Sequence, residues 1–140
     1  MPGRIDIRHW DEIESAEVAS LKYRDRTLEV KGITIRWLSK YGDDGTGSPQ
    51  YGLRFFTAEP GGEIPIHAHP YHQTVYILTG QFRSWEFDSE TDKPVHEKLC
   101  GPGDFIYVPG MVPHGMKNIS DTVPGTFLCC ICTPGSDTAV

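Results

Sequence analysis

The chain has 140 residues, of which 38% are hydrophobic and 23% charged, a composition typical of a folded domain and not of a disordered chain. Its formal net charge of −6 argues against nucleic acid and anionic membranes as partners. No apolar run reaches the roughly 20 residues of a membrane helix, and residues 1–6 show no secretory signal. We therefore expect a cytoplasmic protein with one domain over residues 1–140.

Short apolar runs separated by 15 glycines and 11 prolines predict an all-β protein. Residues 1–25 are the most polar stretch and are interpreted as an N-terminal arm, containing one short helix or irregular chain, in front of a barrel over 27–134. Strands are predicted at 28–30, 33–38, 51–57, around 67–69, and at 73–78, 81–87, 95–99, 104–108, 114–118 and 127–131. About ten short strands without a βαβ unit predict an antiparallel barrel or a double-sheet sandwich.

Glycine and proline clusters mark the connections between these strands. Residues 42–49 have the composition of a loop. Pro60, Gly61 and Gly62 are expected to close the strand at 51–57, and Thr79 with Gly80 predicts a hairpin turn between the strands at 73–78 and 81–87.

The most informative residues are His67 and His69, which flank a single alanine, together with His114 farther along the chain. In a strand, residues i and i+2 point to the same face, with Cα atoms roughly 6.6 Å apart, so two imidazoles at this spacing can converge on one ion. Neutral imidazoles suit Fe, Zn, Cu or Ni better than Mg or Ca. The pattern suggests a metal held on a β-scaffold, with three solvated surface histidines as the alternative.

The four cysteines are Cys100, Cys129, Cys130 and Cys132. Cys129 and Cys132 have the spacing of a redox motif, but such a motif opens a helix, whereas here the surrounding residues predict a buried strand. No second pair is available for a structural zinc site. We interpret the cysteines as reduced, small hydrophobic residues.

Two spaced motifs run through the middle of the chain. The first matches G-x5-H-x-H-x3-E-x6-G through Gly61, His67, His69, Gln73 and Gly80, with glutamine in place of the glutamate. All spacings fit, and only the residue type at position 73 departs from the pattern.

The second motif matches G-x5-P-x-G-x2-H-x3-N through Gly103, Pro109, Met111, His114 and Asn118, with methionine in place of the middle glycine. With both motifs in order, the chain resembles the cupin superfamily. The resemblance implies an all-β double-stranded β-helix, the jelly-roll cupin barrel, with a metal in its mouth, and cupins of this size are usually homodimers. It names no reaction, because this fold hosts many functions.

The resemblance implies that His67, His69 and His114 are metal ligands, with Gln73 where a glutamate would bind. An amide cancels none of the charge of a divalent ion, so the site would favour an anionic, oxygen-chelating substrate such as an enolate, phenolate or carboxylate. The amide can serve as a weak oxygen ligand, or its NH2 can donate to a metal-bound group. A degenerate site with weak or no metal is the alternative.

Other side chains are candidates for roles around the metal. Counting alternately from Gln73 places Val75 and Ile77 on the metal-facing side of their strand and Tyr76 on the other. We nevertheless include Tyr76 and His96, with Gln73, as catalytic candidates. His72 is interpreted as a rim residue. Arg54 and Arg83 are the cations that could grip an acid group, although each is more often a surface residue.

Three functions remain open at this point. The first is a non-haem dioxygenase that holds one divalent metal per chain, with Fe(II) favoured over Zn, Ni or Mn, and acts on a small diketone, phenol, hydroxyketone or acid. The second is a metal-dependent isomerase, lyase or decarboxylase of a small hydroxy- or keto-acid, which needs a general acid or base near the metal. The third is a cupin that binds a small molecule without catalysis.

Overall fold

A computed structural model describes residues 5–40 and 51–132. Within these ranges the only helical element is a 3-10 turn at Trp10–Glu12, and no helix there is long and apolar enough to cross a membrane. The strands are β1 (Ala16–Glu17), β2 (Ser20–Tyr23), β3 (Arg26–Glu29), β4 (Lys31–Ser39), β5 (Gly52–His67), β6 (Gln73–Thr79), β7 (Phe82–Phe87), β8 (Pro94–Cys100), β9 (Phe105–Val108), β10 (His114–Asn118) and β11 (Gly125–Ile131). The predicted loop at 42–49 and residues 133–134 of the predicted barrel lie outside the described residues.

The strands wrap into a nearly closed antiparallel sheet. The hydrogen-bonded order is β8–β7–β10–β5–β11–β6–β9, with β4 also paired to β5 and β1 paired to β4. In this path β8 and β9 are the two ends, and β2 and β3 form a separate hairpin. The predicted all-β jelly-roll barrel is therefore confirmed.

The longest strand, β5, differs from the prediction. The sequence predicted that Pro60, Gly61 and Gly62 end one strand, but β5 runs through them from Gly52 to His67. Its partner β4 shifts register beside this segment. A Cβ atom on Gly62 would lie 2.8 Å from the carbonyl oxygen of Gly32. The missing side chain therefore lets the backbones of β4 and β5 come close together here, so the ladder bends but the strands stay paired.

The predicted hairpin at Thr79 and Gly80 is wrong. The chain does turn there, with a φ of +90° at Gly80, but β6 pairs with β11 and β9, whereas β7 pairs with β10 and β8. The turn therefore carries the chain from one part of the barrel wall to another. Gly80 is needed because a Cβ atom there would lie 2.8 Å from the Cα atom of Gly125.

The barrel interior is filled by side chains that alternate along the strands. Val75 and Ile77 are buried, whereas Tyr76 between them is 46% exposed, which confirms the predicted alternation on β6. Phe127 packs against Phe56 with ring centroids 5.0 Å apart. Burial of each such side chain stabilises the fold by roughly 2 kcal/mol.

Part of the polar N-terminal stretch joins this core. β1 pairs with β4, and β2 pairs with β3 across the predicted boundary between arm and barrel. Leu21 and Tyr23 on β2 are buried, and so is Val18 just before it. Tyr23 donates a hydrogen bond to a carboxylate oxygen of Asp92 at 2.8 Å, which ties the hairpin to the loop before β8.

Candidate metal centre

Three histidines converge at one end of the barrel. His67 is the last residue of β5 and His114 the first of β10, and the two are register partners with ring centroids 4.2 Å apart. His69 lies just past the end of β5, with its ring centroid 5.6 Å from that of His67 and 5.0 Å from that of His114. Each ring offers one ligand nitrogen, and the three nitrogens lie within 4.8 Å of one another.

His69 is placed by local contacts, because it lies outside the ladder. Its ring stacks on that of Tyr71 with centroids 4.1 Å apart and an angle of 8° between the planes. Its carbonyl oxygen accepts a hydrogen bond from the backbone N–H of Met111 at 2.7 Å. Met111 occupies the motif position where glycine is usual, and its φ of +67° explains why the motif prefers glycine.

Each ring is oriented by a carbonyl oxygen two residues away. The Nδ1 atoms of His67, His69 and His114 lie 2.8, 3.0 and 2.8 Å from the carbonyl oxygens of Pro65, Tyr71 and Val112. A carbonyl oxygen can only accept, so Nδ1 carries the hydrogen in each ring. Each neutral ring therefore keeps its lone pair on Nε2, the tautomer that a metal ligand needs.

The surroundings favour the neutral form of all three histidines. Burial lowers the pKa of His67 well below its ordinary value, and the nearby His114 lowers it further. Burial also lowers the pKa of His69 and brings that of His114 to about 4. The positive charge of Arg54 adds to the lowering at each ring. All three rings are therefore uncharged at neutral pH, each with its lone pair on Nε2.

These residues fit a transition metal. The Nε2 atom of His69 is buried and has no hydrogen-bond partner among the described residues. A buried polar atom in that state costs roughly 1–3 kcal/mol, which a bound cation would offset. Three neutral imidazoles suit Fe, Zn, Cu or Ni, so the site can hold one such ion.

A mostly apolar cavity of about 40 Å³ lies beside the histidines. Among the described residues, none of those lining it is an aspartate, glutamate, lysine or tyrosine. The lining residues are Arg54, Phe56, Ile64, His67, Gln73, Val75, Ser84, Trp85, Ile106, Val108, His114, Gly115, Met116, Phe127 and Cys129. A bound metal would thus face a mostly apolar space.

Gln73 lies at the site, as the motif spacing implies. It is the first residue of β6 and is buried. Its side-chain Nε2 lies 3.1 Å from Nε2 of His114, and its Oε1 lies 3.6 Å from Sγ of Cys129. The amide therefore bridges a candidate ligand and a buried cysteine.

Of the two candidate arginines, only Arg54 lines the cavity. Its side chain is 1% exposed, and its Nη2 donates to Sγ of Cys129 at 2.8 Å. Its guanidinium carbon lies 5.1 Å from the centroid of the Phe56 ring. Arg83 instead forms an exposed ion pair with Glu97 at 2.9 Å.

The remaining candidates lie farther from the cluster. Tyr76 points to the outer face of β6 and does not line the cavity. His96 is exposed on β8 and lines a neighbouring depression that also reaches His114. His72 is exposed, and its Nδ1 lies 2.5 Å from the hydroxyl of Tyr107. The structure thus brings Gln73 to the three histidines but not Tyr76.

Cys129 is the site residue that the sequence analysis missed. It was interpreted as a core residue, and it is buried, but it also lines the cavity. On β11 it is the register partner of Arg54 on β5 and of Val75 on β6. Only the pairing of these three strands reveals the contact, and no short-range pattern predicts that pairing.

Comparisons with known proteins agree with this architecture. The cupin-domain family profile matches residues 54–131, so the chain belongs to the cupin family. None of the curated protein sequences is detectably similar to it.

Several solved structures share the fold. The polyketide cyclase RemF from Streptomyces resistomycificus superposes with a TM-score of 0.72 at 22% identity, over 95% of this chain and 83% of that one. An RmlC-like cupin from Shewanella frigidimarina has a TM-score of 0.68 at 17% identity, over 98% and 97% of the two chains. An oxalate oxidase in complex with glycolate has a TM-score of 0.61 at 17% identity, over 75% and 54%. At these identities the likeness concerns the fold alone.

Proposed function

We propose that this cupin is a metal-dependent dioxygenase that holds one Fe(II) through His67, His69 and His114. Its substrate would be a small diketone, phenol, hydroxyketone or acid that binds the metal through oxygen. When bound, Fe(II) supplies Lewis acidity and reactivity toward O2. The protein would supply the geometry and the surroundings of the reaction.

One observation supports an oxygenase above the other candidates. The described lining of the cavity itself has no carboxylate, lysine or tyrosine that could move a proton, and Tyr76 lies outside it. Such groups, Glu86, Lys98 and Tyr107, line only the adjoining depression that also reaches His114. Isomerases, lyases and decarboxylases need such a group close to the reacting carbon. An oxidation by O2 at a metal depends less on a protein acid or base.

The side chains around the metal site would bind and shield the substrate. Phe56, Val75 and Phe127 supply apolar walls that exclude water from the reacting group. Arg54 places a buried positive charge beside the histidines, which favours an anionic substrate. The neutral Gln73 leaves the charge of a divalent ion uncancelled, which adds to this preference.

The test is oxygen consumption by the reconstituted protein. The chain is loaded with Fe(II) under anaerobic conditions, and O2 uptake is measured with a panel of diketones, phenols, hydroxyketones and small acids. We expect uptake above that of free Fe(II) with at least one class, and none with the His114→Ala variant. Uptake no greater than that of free iron throughout would contradict the proposal.

A second candidate is a metal-dependent reaction without O2, such as a cyclisation or isomerisation of a keto compound. It is supported by the structural likeness to a protein described as a polyketide cyclase. Product formation under strict anaerobiosis, with Zn or Ni as effective as Fe(II), would favour this candidate over the oxygenase.

A further inference from the structure

A chain of side-chain contacts leads from the barrel interior to the metal site. Nη2 of Arg54 donates to Sγ of Cys129 at 2.8 Å, and this Sγ lies 3.6 Å from Oε1 of Gln73. At the other end of the amide, Nε2 of Gln73 lies 3.1 Å from Nε2 of His114. Cys129 and Gln73 are both buried, so water does not compete for these contacts.

The donor and acceptor roles in this series of contacts are determined by His114 at one end and by Arg54 at the other. His114 gives its Nδ1 hydrogen to the carbonyl oxygen of Val112, so its Nε2 has only a lone pair and must accept. The amide group that faces it must therefore be the NH2 of Gln73. At the opposite end, an arginine can only donate, so Sγ of Cys129 accepts from Arg54 and its S–H is available for the amide oxygen.

We propose that Cys129 is a positioning residue that holds the carbonyl end of Gln73, so that the NH2 end points at whatever is bound to the metal. Gln73 would then be a hydrogen-bond donor to the substrate and not a fourth metal ligand. This inference rests on the metal site of the proposed function. It narrows the substrate class to ligands that present a hydrogen-bond-accepting oxygen beside the metal.

The position of Cys129 in the sheet suits this role. It lies on β11 between Arg54 on β5 and Val75 on β6, and its backbone is hydrogen-bonded within both ladders. Its side chain has a single χ angle, so its sulfur can occupy only the few positions that the staggered rotamers allow. When a metal takes the lone pair of His114, the amide NH2 loses that acceptor while its oxygen stays held by the thiol. The freed donor would then be available to a ligand bound beside the metal.

The experiment separates binding of the metal from binding of an anionic ligand. Zn(II) affinity is measured by calorimetry, and 4-nitrocatechol, whose absorbance reports its ionised form, is titrated into the Zn(II)-loaded protein. The variants are Gln73→Ala, Cys129→Ala and Cys129→Ser, with Cys130→Ser on the exposed face of the same strand as the matched control. Thermal melts verify that each variant is folded.

We expect Zn(II) affinity to stay within about threefold of wild type in every variant. Loss of one hydrogen bond to a charged group should weaken 4-nitrocatechol binding about tenfold in Gln73→Ala and Cys129→Ala. Cys129→Ser keeps a donor and should bind the catechol nearly as wild type does, as should Cys130→Ser. A loss of tenfold or more in Zn(II) affinity in Gln73→Ala would overturn the inference, because Gln73 would then be a ligand. Wild-type catechol affinity in Cys129→Ala would overturn it too.

A second measurement does not depend on metal. In the metal-free protein, NMR should show contacts between the Gln73 amide protons and the His114 ring, weakened in Cys129→Ala and retained in Cys129→Ser. An amide with its oxygen toward His114 would overturn the inference. Protein that binds Zn(II) and catechol as expected, yet consumes no O2 with Fe(II), would contradict the proposed oxygenase and leave the inference supported.

Discussion

His67 and His114 face each other across the ladder between β5 and β10, with ring centroids 4.2 Å apart. The hydrogen bonds of the sheet therefore set the spacing of two candidate ligands. Only His69, beyond the strand end, depends on stacking and a backbone hydrogen bond for its position. The site is largely preorganised by the barrel, so metal binding should require little rearrangement.

Replacement of a candidate ligand should remove the metal. We expect His114→Ala to weaken Zn(II) binding by more than about tenfold, because loss of a group that only orients a ligand already costs about 10–100-fold. The matched control is His72→Ala, an exposed histidine outside the cluster, which should keep wild-type affinity. Metal analysis after dialysis checks both variants. Equal metal content in the two would contradict the assignment of His114.

The metal-free protein should lose stability in mild acid. The three histidines have lowered pKa values in the folded state, so below about pH 6.5 the unfolded chain binds more protons than the folded one. The free energy of unfolding should fall as the pH drops from about 6.5 toward the pKa of His114, about 4. Each histidine contributes at most about 1.4 kcal/mol per pH unit.

Urea denaturation between pH 7 and pH 5 measures this dependence. His114→Gln removes one of the three titrating groups and should show a shallower slope, by up to about 1.4 kcal/mol per pH unit. The comparison cancels the contribution of carboxylates, which the two proteins share. Identical slopes would show that His114 is not held neutral in the folded state.

Asn118 of the second motif should be required for stability and not for metal binding. It is fully buried, the two hydrogens of its Nδ2 are shared among the carbonyl oxygens of Ala58, Glu59 and Val123, and its Oδ1 accepts from the backbone N–H of Ser120. Asn118→Ala leaves several of these groups unpaired and should cost about 3 kcal/mol. Chemical denaturation checks the loss, and Zn(II) calorimetry at low temperature should find the affinity unchanged.

A matched control for Asn118→Ala is the neighbouring Lys117→Ala. Lys117 is part of the same strand but has no comparable set of buried hydrogen bonds. Its substitution should change the free energy of unfolding by no more than about 0.5 kcal/mol. If the Asn118→Ala variant is fully folded and still binds Zn(II) more weakly than wild type, Asn118 is part of the metal site and the prediction is wrong.

Replacement of Met111 by glycine should increase the stability of the folded protein. Its φ of +67° is unfavourable for any residue with a Cβ atom, and its side chain is 63% exposed, so little packing is lost on truncation. Met111→Gly should raise the free energy of unfolding by about 1 kcal/mol. Met111→Ala keeps the Cβ atom and should bring no such gain, which thermal melts of the two variants can show. Equal melting temperatures of Met111→Gly and Met111→Ala would contradict the prediction that the positive φ at this position costs stability.

Much of the architecture was accessible from the sequence because strand periodicity and motif spacing are local. The alternation on β6 correctly placed Val75 inside and Tyr76 outside. The paired motifs, read together, correctly predicted that His67 and His114 would meet. These inferences need only neighbouring residues or a fixed spacing.

The errors arose where distant segments decide the outcome. Gly62 looked like a strand end because its close contact with Gly32 on β4 cannot be seen locally. Gly80 looked like a hairpin turn because the partners of β6 and β7 lie elsewhere in the chain. The role of Cys129 depends on strand register, and register follows from the packing of the whole barrel.

The central strand β5 is hydrogen-bonded to β4, β10 and β11, and it carries both Arg54 and His67. Its amides should be the last to exchange with deuterium, since they are released only when several ladders separate. The end of the barrel that carries the three histidines would then be among the slowest parts to open. We therefore expect a bound ion to dissociate through local motion of the segment around His69. Substitutions in that segment should then change the dissociation rate of the ion without destabilising the rest of the barrel.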